Sequence, residues 1–327
     1  MKDSYARVSL VRLCRLFGIT RQAYYQHFWQ QEATGIEESL VLSQVLMIRQ
    51  DHRVMGGRKL YEKLHPFLLE HQIKMGRDAL FDLLADNGLL VKKKRRRFIT
   101  TFSNHWLRKW PNLIRKMEIT RANQLWVSDI TYWRTGDKYL YVSLITDAYS
   151  HKIVGYHVAE TLESIETIKA LQMALMYLSK PLTESLIHHS DRGVQYCCDL
   201  YVKLLQENKI GISMTENGDP LENAIAERIN GILKGEYLKH YQINNTNQAK
   251  EQLAVAVKLY NEQRPHFSIG LLTPEIVHSK NIKTEKLWKN YYDKNLKVVN
   301  QSQANKIHVN LKMDYSKKRT RQTVNLF

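Results

Sequence analysis

The sequence predicts an α/β protein in which a mixed-sheet domain, residues 121–279, follows two helical segments. Three observations carry this. Residues 126–160 hold three successive runs, WVSDITYW, KYLYVSLITDAYS and HKIVGYHVAE, dense in Val, Ile, Tyr and Thr and separated by turn residues. Beyond them, helical and strand-like segments alternate. Charge is also segregated. Residues 1–120 carry 22 basic and 11 acidic residues, 121–275 carry 15 and 18, and 276–327 carry 12 and 3, within a net charge of +17 over 327 residues.

A slightly acidic centre between two basic flanks points to a polyanionic partner, and nucleic acid is the commonest one. No run of about 18 apolar residues offers a membrane span. The N-terminus lacks the apolar stretch of a secretion signal. Cys14, Cys197 and Cys198 are too few for a disulfide framework and supply no CxxC half-site. These features fit a reduced, cytoplasmic setting.

The elements follow in order. Residues 5–30 read as two short helices around Phe17-Gly18, with Thr20 as N-cap of the second. This is helix-turn-helix spacing, and Arg21, Gln22, Tyr25 and Gln26 would face a DNA groove. We take 1–34 as one segment and 35–97 as a second. The second holds a helix near 58–69 and another, RDALFDLLADN, stopped by Gly88. It closes on Lys92, Lys93, Lys94, Arg95, Arg96 and Arg97, a run suited to tracking phosphates. Residues 98–120 form a linker.

The three β-rich runs make an antiparallel meander, turning at Gly136-Asp137 and again at Tyr149-Ser150-His151. A helix striped by Ile165, Ile168, Leu171, Leu175 and Leu178 is ended by Pro181. A strand in SLIHHSD, a helix near 194–207 and a strand in IGISMT come next. Asp219, Pro220 and Glu222 read as N-cap, N1 and N3 of a further helix. The last helix runs from about 246 to Arg264, before Pro265. Residues 280–327 form a basic tail without a usable motif.

Three acids stand apart. Asp129 interrupts an apolar strand, Asp191 ends the fourth strand, and Glu227 lies in the helix opened by Asp219. A carboxylate among apolar residues bears a desolvation cost. If the three converge, their repulsion is relieved by a divalent cation, and all-oxygen ligands favour Mg²⁺ or Mn²⁺. Two such ions would stabilise the attacking and leaving oxygens of an in-line phosphoryl transfer. Nearby polar residues have other readings. Asp147 suits a turn role, Glu222 a cap, and His188 and His189 packing or orientation. Lys234, seven residues after Glu227, would lie on the same helix face and contact DNA. Arg264 would either bind phosphate or tie the last helix to the core.

The segments WVSDITYW, LITDAYSHKIVG, HHSDRGVQY, ENAIAERINGILKGE and YNEQRPH followed by GLLTPE resemble the catalytic core of DDE-class insertion-sequence transposases and retroviral-type integrases. The second-frame (OrfB-type) transposases are the specific resemblance. Thirty-five residues separate Asp191 from Glu227, the family's spacing. The likeness covers about residues 5–277. It departs in the loop before Glu227, where Leu221-Glu222-Asn223 stands in place of an aromatic-Asp-Asn step.

The resemblance implies a ribonuclease-H-like core. It implies Asp129, Asp191 and Glu227 as catalytic metal ligands, and Mg²⁺-dependent 3′-end cleavage followed by strand transfer. It also implies double-stranded DNA as substrate, at element ends and target, in a nucleoid-associated bacterial setting. An upstream-frame transposase product and a second copy of the chain would be partners on DNA. The competing classes are a non-catalytic DNA-binding repressor, or decayed transposase, and a nuclease that cuts without joining.

Overall fold

The computed structural model describes residues 9–91, 106–115, 117–136, 138–178, 185–216 and 223–284, side chains of 31–33 excepted. The Lys92–Arg97 run, the helix start at Asp219, Pro220 and Glu222, Pro181, and the tail from residue 285 lie outside the described residues.

Four helices come first: α1 (Leu10–Leu16), α2 (Arg21–Asp51), α3 (Gly57–Glu70) and α4 (Arg77–Asp86). The α1–α2 corner forms as its residues dictate. Gly18 takes a left-handed φ of 67°, Ile19 N donates to Cys14 O, and Thr20 Oγ1 accepts from Ala23 N at 3.0 Å. The second helix does not stop near Trp29: no proline interrupts residues 21–51, and Gly35, the poorest helix former among them, costs only about 1 kcal/mol. It runs on through the expected break at residues 34–35. Its distal half packs Val41 and Val45 against Leu60, Leu64, Leu80 and Leu84 of α3 and α4. Gly88, at a φ of 66°, stops α4.

Five strands follow: β1 (Leu125–Thr135), β2 (Lys138–Asp147), β3 (Ile153–Ala159), β4 (Ile187–Ser190) and β5 (Gly211–Met214). Their order in the sheet is β3-β2-β1-β4-β5. The first three form the antiparallel meander; β4 and β5 add in parallel beyond β1. This mixed sheet, with helices on both faces, is the ribonuclease-H-like arrangement.

One face carries α5 (Ser164–Tyr177), α6 (Val194–Cys197) and α7 (Asp199–Glu207) over Trp126, Ile145 and Val154. The expected stripe on α5 is rotated. Thr167, Ile168, Ala170, Leu171 and Ala174 are buried, whereas Ile165 is 47% exposed. Small residues let α5 sit close: a Cβ at Gly155 of β3 would meet Ala170 O at 2.2 Å. The helix expected over 194–207 is broken at Cys198, whose ψ of 145° is extended.

The other face carries α8 (Ala224–Ile232), a π-turn (Leu233–Tyr237), a 3₁₀ turn (Leu238–His240) and α9 (Thr246–Gln263) over Trp133, Val142, Leu144 and Val158. A short α10 (Pro274–Lys280) closes the described chain. Among the described residues, no helix is long and apolar enough to cross a membrane.

Candidate active site

The sheet brings the first two acids near one another. Val127 of β1 pairs with His189 of β4 in parallel; Asp129 lies two residues further along β1, and Asp191 directly follows Ser190, the last residue of β4. Neighbouring strands lie about 4.8 Å apart. Along β1, Leu125, Val127, Asp129, Thr131 and Trp133 share one face, so an acid stands in a largely apolar row. That row faces α8.

Helix α8 meets it with a polar line. Asn223, Glu227 and Asn230 recur at spacings of four and three, one face of a helix. Asn223 Nδ2 donates to Ser128 O at 3.0 Å, and Asn230 Nδ2 donates to Asp129 Oδ2 at 2.7 Å. Glu227 sits between them in the first turn of α8, not two turns into a helix as the Asp219 start implies. Asp129 Oδ1 accepts from Ile130 N at 2.9 Å. Asp191 Oδ1 accepts from Gly193 N at 2.9 Å, and a Cβ on Gly193 would stand 3.0 Å from that oxygen.

The electrostatics follow from this placement. Burial, with Asp191 and then Glu227 nearby, pushes the Asp129 carboxyl up to about 7 against the opposing bonds from Asn230 and Ile130. The three acids therefore share one field. They are not gathered to a single ligating point: among the described residues no three His, Cys, Asp or Glu side chains form a ready metal cluster. Yet the donors suit a hard divalent cation. They are carboxylate oxygens under mutual repulsion, and the buried Oδ1 atoms of Asn223 and Asn230 have no hydrogen-bond partner among the described residues.

The histidines are occupied elsewhere. His188 Nε2 lies 2.7 Å from Ser128 Oγ and 2.9 Å from Tyr201 Oη, and burial pushes its pKa down to about 3. His189 Nδ1 lies 2.8 Å from Ser213 Oγ. Asp147 caps its turn, accepting from Asn123 N, Ser150 N and Ser150 Oγ at 2.6–2.8 Å.

The proposed DNA contacts divide. Arg21, Gln22, Tyr25 and Gln26 are exposed at the start of α2. Lys234 is half-buried and belongs to the π-turn, so the seven-residue α-helical spacing no longer aligns it with Glu227. It lines a basic pocket with Trp133, Arg134, Gly136 and Lys239. Arg264 corrects the phosphate reading. It is 2% exposed, donates to both Glu236 oxygens at 2.6 and 2.7 Å, and lies 2.9 Å from His266. No surface remains on it for DNA. Asn230, unrecognised from sequence, was marked only by a polar residue three positions after Glu227 in an apolar helix.

Two family models described as integrase core domain match residues 119–220 and 208–274. The 31 kDa protein of insertion element IS600 from Shigella sonnei is 36% identical over 82% of this chain and 98% of its own length. The transposase of insertion sequence element IS629 from the same organism is 31% identical over 69% of this chain and 74% of its own. Transposase InsF of IS3A from Escherichia coli K12 is 27% identical over 85% and 96%. The HTLV-2 integrase catalytic core domain in complex with magnesium is similar with a TM-score of 0.39 and 21% identity, covering 48% of this chain and 97% of that one. The chain therefore belongs to the IS3-type insertion-sequence transposases, which carry an integrase core domain.

Proposed function

We propose that this transposase cleaves element 3′ ends and transfers them to target DNA at a site built by Asp129, Asp191 and Glu227. One observation carries the reading: Asp129 within β1, Asp191 just after β4 and Glu227 on α8 lie close enough that Asp191 and Glu227 add to burial in pushing the Asp129 carboxyl up to about 7. Perturbed acids of this kind collect at catalytic centres.

Asp129, Asp191 and Glu227 would hold Mg²⁺, with Mn²⁺ as a substitute and two ions as the working number. The bound ions would supply Lewis-acid stabilisation of the scissile phosphate's oxygens. The chain's own residues do the rest. Asn230 fixes the orientation of the Asp129 carboxylate, Gly193 N that of Asp191, and Asn223 ties the start of α8 to β1. Arg21, Gln22 and Tyr25 at the α2 N-terminus, the Lys92–Arg97 run and Lys234 would bind double-stranded DNA. Two ends must be handled together, so a homo-oligomer on DNA is the working assembly, with the upstream-frame product as partner in end recognition.

The test is a gel assay on labelled duplexes bearing the element's ends, with Mg²⁺ or Mn²⁺, with and without the upstream-frame product. Metal-dependent nicked and joined products from wild type, absent for Asp191→Asn, are expected. Binding without strand chemistry in every condition would overturn the proposal. Nicking without joining would reduce it to a nuclease.

A further inference from the structure

We infer that His52 and Lys59, from the helical segments, are positioning residues for Glu227, acting through the π-turn that continues its helix. The inference rests on the reading of Glu227 as a site residue.

The π-turn Leu233–Tyr237 directly follows α8. A π-turn holds one residue more than an α-turn and persists where its surroundings fix it; such turns recur at functional sites. Here the surroundings are charged and specific. Glu236 is bound by Arg264 Nε and Nη2 and lies 3.8 Å from Lys59 Nζ. Tyr237 Oη lies 3.0 Å from His52 Nδ1. Lys63 Nζ donates to Gln263 O at 3.3 Å, beside His52, and Arg53 donates to His240 O at 3.4 Å. The α2–α3 corner thus grips the segment after Glu227 from outside the sheet domain. His52, Tyr237 and Arg264 are all buried, so this contact is a packed joint and not a surface encounter.

The joint has a lever arm. Glu227 is nine residues before Glu236 and ten before Tyr237, on one continuous helical run. If the π-turn relaxes to α geometry, one residue of register is released. That is about 100° of rotation or 1.5 Å of rise, to be taken up by α8. Ala226 and Ile229 are packed against the sheet, which opposes rotation. A shift along the helix axis therefore reaches Glu227. Glu227 is close enough to bear on the Asp129 carboxyl, and an axial shift of this size would change its distance from Asp129 and Asp191.

The experiment uses the full chain and reads thermal unfolding against Mn²⁺ concentration, alongside binding to an end-bearing duplex. In Lys59→Met, the Mn²⁺ concentration giving half of the maximal stabilisation should rise about ten-fold, the scale of losses seen when residues behind metal ligands are removed. Lys59→Arg should restore it, and duplex affinity should stay within about two-fold. In a Glu227→Gln background, Lys59→Met should cause no further change. Tyr237→Phe, which removes only the hydroxyl facing His52, gives the same test with the least risk to folding and should shift the midpoint in the same direction. An unshifted midpoint in Lys59→Met and Tyr237→Phe, with a shifted one in Glu227→Gln, overturns the inference alone. An unshifted midpoint in Glu227→Gln overturns the site reading and the inference with it.

Discussion

Two buried charge clusters flank the α8–π-turn segment, and they handle charge in opposite ways. On the sheet side, burial, with Asp191 and Glu227 nearby, pushes the Asp129 carboxyl up to about 7. On the other side, Arg264 and Glu236 pair through two hydrogen bonds, and Lys59 adds a second cation. Burial raises the Glu236 carboxyl, but the Arg264 bonds outweigh it and hold it below its ordinary range. Matched charge of this kind holds a structure together, whereas carboxyls pushed up by burial and by neighbouring acids are a mark of functional sites. Both clusters are invisible as such in a list of charged residues.

The sharpest break of this comparison is at Asp191. Asp191→Asn should lower metal-dependent cleavage and joining by about three orders of magnitude while duplex binding is retained. Loss of both together would move Asp191 into the structural class.

Arg264→Ala tests the opposite cluster. It leaves Glu236 buried without its main partner, and a loss of about 3–5 kcal/mol is expected in denaturant unfolding. If Arg264 were instead a phosphate contact, stability would hold and DNA affinity alone would fall.

The third effect is a pH dependence in metal-free protein. Asp129 binds its proton more tightly folded than unfolded, so its contribution is fully present below about pH 4 and is lost as pH rises through about 7. Asp129→Asn should therefore raise stability at pH 8 by about 2 kcal/mol and change it far less at pH 4. Equal effects at both pH values would mean that burial and the neighbouring acids do not raise the Asp129 carboxyl.

The smallest effect concerns a region remote from both clusters. Thr20→Ala removes the cap on Ala23 N and should cost about 1 kcal/mol. Amide exchange confined to the start of α2 would report it. A change in cleavage by isolated ends, without a change in binding, would contradict a DNA-contact role for Arg21, Gln22 and Tyr25.

Much of the fold is legible locally. The meander reads from β-branched and aromatic runs between turn residues, the α1–α2 corner from Gly18 and Thr20, and the end of α9 from Pro265. The misreadings share a cause. The α5 stripe was placed by hydrophobicity, but Gly155 lets α5 approach through small residues, so Ala170 and Ala174 are buried where Ile165 is not. Reading residues 5–30 as two short helices ends the second near Trp29, whereas α2 continues to Asp51 with Phe28 and Trp29 exposed on it.

The sequence by itself determined which residue types the site has and how they are spaced. Asp129 stands out in an apolar strand and Glu227 in a helix at the family's distance from Asp191, because a buried carboxylate is costly enough to be noticed one residue at a time. Only the tertiary structure decided what each charge faces. The parallel pairing of β1 with β4 brings Asp191, just past β4, near Asp129, helix packing adds Asn230, and the chain's return through α9 brings Arg264 to Glu236. Charge in a protein is valued by its partners, and partners nearly thirty or a hundred residues apart are set by packing rather than by local sequence.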